Sequence, residues 1–160
     1  MRRSRANWWR TVAQEKDYLF LSFMHSEAPF EVVTSALQDF EKRYRREART
    51  HAERVHLRQL AAIEILTEAF STGRPWKDFA PHLKRLKQLG YPNLWKRVHV
   101  ACIYVQALPY FPERARDAFT LLADAERRVK RLRNRPAKTQ LLNSIAHARQ
   151  EAERYGVLPP

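Results

Sequence analysis

Arg46 and His51 stand five positions apart in the chain, a histidine following an arginine after four intervening residues. A histidine can move a proton near neutral pH and an arginine can hold an anion. His51 and His56 offer less, because a spacing of five turns them about 140° apart around a helix. They share no face, and no HExxH pairing occurs that would hold zinc. His99 and Cys102 are three apart, as a base and a thiol nucleophile would be on one helical face. They lie in the most apolar stretch of the chain, which predicts a structural core cysteine beside a hydrogen-bonded histidine. Three scattered glycines exclude a glycine-rich cradle for nucleotide phosphates.

The arginine, four residues and histidine of Arg46 and His51 resemble the spacing used by HEPN-type helical ribonucleases. The resemblance covers these two residues alone. It implies a metal-independent ribonuclease, a third reading of function behind two others. Seven Lys and Arg residues fall between Lys42 and Arg58, so such a pair also arises on an ordinary solvated basic face.

The arginines and lysines carry a broader signal. Thirty of them stand against seventeen Asp and Glu, a formal net charge of +13 that points to polyanionic partners. Between Arg74 and Pro112 the only acid is Asp78, and from Glu126 to Lys138 one acid faces seven bases. Clusters occur at Lys42, Arg45, Arg46 and Arg49, at Lys84, Arg85 and Lys87 after Lys77, and at Arg127, Lys130 and Arg131. Brought together, they would track a phosphate backbone. Scattered, they would only solvate helix exteriors and cover apolar surface with their stems. At the amino terminus Arg2, Arg3, Arg5 and Arg10 surround Trp8 and Trp9, a pairing suited to bases, an anionic surface or a partner protein. Packing of at least one of these indoles in the core is the competing expectation.

The elements that must position these groups are helices. All three glycines, Gly73, Gly90 and Gly156, follow apolar-periodic segments, where a helix C-cap needs the left-handed conformation. Pro29, Pro75, Pro92, Pro112 and Pro136 sit near segment starts, where a missing N–H is tolerated. The pattern predicts a first helix from an N-cap at about Asn7 to about His25, and a second opening near Pro29 with Val33, Leu37, Phe40 and Tyr44 inward. One long or kinked helix is favoured over 29–72. The alternative is a break near Thr50, where Thr50 and Glu53 have the spacing of a capping box.

A short helix from about Trp76 to Leu89 follows, its first turn set apart by Pro81. Asn93 then caps a helix to about Leu108, apolar almost all round and hence buried. Another runs from about Glu113 to Arg133 with Ala115, Ala118, Leu122, Ala125, Val129 and Leu132 inward. The last spans about Ala137 to Tyr155 and faces inward with Leu142, Ile145, Ala152 and Tyr155.

These segments predict an all-α fold of about six helices, an irregular antiparallel bundle or a short stack of helical hairpins. At 160 residues the chain reads as a single domain, 1–160, long enough to bury about 70% of its unfolded surface. A basic segment 1–6 precedes the helices and a short tail 156–160 follows them. The single cysteine, Cys102, excludes an internal disulfide, and no apolar run is long enough for a signal peptide or a membrane span. A cytoplasmic setting with no cofactor and no metal is expected.

The leading functional expectation is a non-enzymatic accessory or regulatory protein that binds nucleic acid mainly through phosphates. The alternative is an interaction adaptor that presents a groove or aromatic anchors, Trp8, Trp9 and Trp95 among them, to an acidic protein. A helix-turn-helix over Trp76 to Leu108 is discounted, because its second helix is too apolar to expose a polar face to a DNA groove.

Overall fold

The computed structural model describes residues 4–160 and is helical, with no strand among them. The described helices are α1 (Arg5–Ser26), α2 (Phe30–Glu47), α3 (His51–Ser71), α4 (Trp76–Leu89), α5 (Leu94–Gln106), α6 (Ala115–Lys130) and α7 (Arg135–Arg154). Two 3₁₀ turns, Leu108–Tyr110 and Pro112–Arg114, lead into α6. No helix among the described residues is long and apolar enough to cross a membrane.

Local chemistry sets the helix ends, and it corrects several expectations. Ser4, not Asn7, caps α1, its Oγ accepting from the Asn7 N–H at 3.3 Å. The long helix expected over 29–72 is two helices. Ala48 turns extended, and Thr50 opens α3 with a complete capping box. The Thr50 Oγ1 accepts from the Glu53 N–H, while the Glu53 carboxylate accepts from the N–H groups of Thr50 (3.1 Å) and Arg49 (2.6 Å). Three donors at the start of α3 are thereby satisfied, and continuous helix has no comparable advantage there.

Pro81 does not detach the first turn of α4, which stays continuous at the cost of one backbone hydrogen bond. The 3₁₀ turns delay α6 to Ala115, and Asn134 starts α7 two residues earlier than expected, at Arg135. Tyr155 lies beyond the end of α7 and is 65% exposed, so it is not a core residue. Leu141 and Ala148 take the inward positions instead. Gly156, at φ 78°, lets the Val157 N–H return to the Ala152 carbonyl, and Val157 is buried.

α3 packs against α2, α4 and α5, and α5 packs against α3, α6 and α7. The bundle thus has two inner helices, which explains why Val98 to Val105 is buried apart from half-exposed His99. Most buried apolar side chains from α2 to α7 join one cluster. A second, smaller cluster of Trp8, Val12, Phe40, Tyr44 and Leu57 locks α1 against the end of α2 and the start of α3. Full burial of each such aliphatic side chain stabilises the fold by about 1.5–3 kcal/mol.

Candidate nucleic-acid interface

The helical periodicity of α4 divides its charged residues between two neighbours. Arg85 turns toward α2, where Glu41, only 7% exposed, receives Arg45 at 3.2 Å and lies 3.9 Å from Arg85. Lys84 and Lys87, about 100° and 160° away from Arg85, line the opposite flank, an open groove of about 530 Å³. Trp76, Leu83 and Tyr104 line this groove from α4 and α5, and Thr120, Leu121 and Asp124 from α6. Asp124 is the second shared carboxylate. Arg97 donates to it at 3.1 Å, Arg127 at 3.3 Å and Arg128 at 3.0 Å.

Two carboxylates therefore organise five guanidinium groups. Burial pushes the Asp124 carboxyl up, but hydrogen bonds from Arg128 and Arg127 and the charge of Arg97 outweigh that and hold it below the usual range. Asp124 is thus a carboxylate at neutral pH, as three attendant cations require. Glu41 and Asp124 leave a net excess of three positive charges within these two networks. Lys84 and Lys87 stand between them, exposed and forming no ion pair among the described residues.

The sequence-predicted residues divide accordingly. Arg45 and Arg85 meet at Glu41, Lys84 and Lys87 line the groove, and Arg127 joins Asp124 on its α6 side. Lys42, Arg46 and Arg49 are exposed at or just beyond the end of α2, and Arg131 just past α6, with no side-chain ion pair among the described residues. Lys130 instead joins Glu126, which also receives Arg149 from α7. Arg97 and Arg128 were not predicted as site residues. The signal for Arg128 was its spacing of four from Asp124, but nothing in sequence joins Arg97 to a residue 27 positions later.

The amino-terminal patch is arranged differently. Arg2 and Arg3 lie outside the described residues. Arg5 is bound through its Nε to Glu53 at 2.8 Å and lies over the Trp8 ring at 4.3 Å. Trp8 is buried and its Nε1–H donates to Glu47 at 2.8 Å, and Trp9 packs edge-on against His56. The indoles serve packing here, and of the four arginines only Arg10 is a described, exposed group with no ion pair.

The remaining candidates are Arg46 with His51 and His99 with Cys102. Arg46 lies near the end of α2 and His51 is the first residue of α3, with the break at Ala48 to Thr50 between them in sequence. His99 and Cys102 both line a second groove, of about 540 Å³, between α3, α5 and α7. The His99 Nε2 lies 2.8 Å from the Thr67 hydroxyl, and burial lowers its pKa, aided by Lys96. Burial pushes the Cys102 thiol up to about 11, and its Sγ donates to the Ser144 carbonyl. A thiol so protonated is a poor nucleophile. Among the described residues no group of three His, Cys, Asp or Glu is placed to hold a metal ion.

Compared with protein families, with curated proteins and with solved structures, the chain matches none.

Proposed function

We propose that this chain is a non-enzymatic helical protein that binds nucleic acid through phosphate contacts along the α2–α4–α6 band, without strong sequence specificity. In this reading the scaffold is an irregular antiparallel bundle whose exterior carries the band. The observation that supports it is the sharing of Glu41 by two arginines and of Asp124 by three, with unpaired Lys84 and Lys87 between them. Each shared carboxylate holds guanidinium groups in place without cancelling them, and fixed excess charge is what attracts and positions a phosphate backbone.

Titration of a generic duplex and a generic single strand at several salt concentrations tests this. Binding should weaken linearly in log–log form, by about 0.9 per duplex phosphate contact and about 0.7 per single-strand contact. No binding at low salt ends the proposal.

A second reading, a protein-interaction adaptor, is favoured by the groove between α3, α5 and α7. There Trp95 is 45% exposed beside Phe70, Val98 and Leu141, the composition of an aromatic anchor site. The Arg46 and His51 spacing supports a ribonuclease only if His51→Ala abolishes RNA cleavage by the purified protein.

A further inference from the structure

The groove flanked by α4 and α6 has a composition that a surface for duplex phosphates does not need. We propose that it takes unpaired bases, so that the protein prefers single-stranded nucleic acid. This rests on the phosphate-binding reading of the band and assigns the partner's form. A duplex presents phosphates outward and keeps its base faces stacked, so it makes no use of apolar surface recessed beside a cationic rim. A single strand presents both.

The lining matches those two requirements. Lys84 and Lys87 stand on the α4 rim with Leu83 below them, and Leu121 faces from α6. Arg97 lies across the groove with its guanidinium over the Tyr91 ring at 4.7 Å and tied to Asp124 at 3.1 Å. A guanidinium fixed in position in this way is a group on which a base stacks. Trp76 is a fixed wall rather than a mobile platform, since Tyr104 stacks beside it at 5.8 Å and Arg114 lies over its ring at 4.3 Å. The Asp117 carboxylate and Thr120 hydroxyl, both exposed on α6, are acceptors for the amino groups that bases carry on their edges. A volume of about 530 Å³ is within the range of sites that enclose small organic groups.

The full chain is titrated by fluorescence anisotropy with a labelled mixed-sequence 12-mer, as DNA and as RNA, and with its blunt duplex at matched salt. The expected result is single-strand binding about tenfold tighter than duplex binding. Leu83→Ala/Leu121→Ala should reduce the single-strand affinity to about the duplex value and leave duplex affinity and both salt slopes unchanged. Those two side chains also touch the core, so Thr120→Phe provides an independent variant. It fills the groove from an exposed position and should give the same loss with an unchanged thermal midpoint.

Equal affinity for strand and duplex overturns the single-strand assignment while leaving phosphate binding intact. So does a Thr120→Phe protein that binds single strands as the parent does. Competition by poly-glutamate that is lost in both Lys84→Ala/Lys87→Ala and Thr120→Phe, with strand and duplex bound equally, would give the groove to an acidic protein instead. Failure of every nucleic acid to bind at low salt would remove both this inference and the reading on which it rests.

Discussion

Two sets of ion pairs in this molecule use arginine in different ways. In the corner where α1 meets α2 and α3, each main carboxylate serves one cationic side chain. Glu53 holds Arg5, Glu15 holds Arg43 at 2.7 Å, and Glu64 holds Lys16 at 3.3 Å. Their remaining hydrogen-bonding capacity goes to the fold: Glu15 accepts from the Tyr44 hydroxyl and Glu53 from the backbone at the start of α3. Across α2, α4 and α6, by contrast, two carboxylates are divided among five arginines. One-to-one pairing consumes charge internally, whereas sharing fixes it in position and leaves it uncompensated. A net charge of +13 does not distinguish these arrangements.

The contrast is easiest to break with Lys84→Glu/Lys87→Glu, the change of largest expected effect. Reversing two charges at the centre of the band should weaken binding of a single-stranded 12-mer by about a hundredfold at low salt. It should leave the urea midpoint nearly unchanged, since neither lysine is paired. A loss below threefold would show that the band is not where nucleic acid lands.

Trp8→Phe probes the other region. It removes the indole donor to Glu47 and some buried apolar area, and should lower unfolding free energy by about 1–3 kcal/mol in denaturant titration. Nucleic-acid affinity should not change. A parallel loss of affinity would merge the two regions into one functional surface.

A third prediction concerns acid. The hydrogen bond from Arg5, with those from the backbone at Arg49 and Thr50, lowers the Glu53 pKa from 4.5 to about 2 in the folded chain. Its contribution to stability is therefore complete above pH 4.5 and is lost as pH falls toward 2. Glu53→Gln should be less stable near neutrality and show a shallower decline of stability between pH 4.5 and 2. An acid limb identical to the parent's would mean that Arg5 and Glu53 do not hold α1 to α3 in solution.

The smallest effect expected is that of Arg5→Gln on binding. Because Arg5 is engaged by Glu53 and Trp8, its removal should change neither the affinity nor the salt slope within error, although α1 should be less firmly held. A salt slope lowered by about 0.7 would show that Arg5 contacts a phosphate after all.

Much of the helical scaffold was legible in sequence. The Val33, Leu37, Phe40 and Tyr44 stripe is buried, Asn93 caps α5, and all three glycines adopt positive φ at helix ends. What failed in local reading failed where two local rules compete. The capping box at Thr50 prevailed over uninterrupted helical pattern, and Pro81 did not break a helix held by Phe79 and Leu86 in the core. The grooves were not legible, because each is lined by residues of three helices that only the fold brings together. The clustering of Lys84, Arg85 and Lys87 could be read along α4, but their sorting between α2 and the groove could not.

The amino-acid order by itself determined where helices begin, end and turn an apolar side inward, since those choices depend on side chains within one or two turns of each other. Which cations are neutralised and which persist was decided only when α2, α4, α5 and α6 came together. Coulombic pairing acts over a few ångströms of space, and residues as distant in sequence as Glu41 and Arg85, or Arg97 and Asp124, become neighbours only in the folded chain.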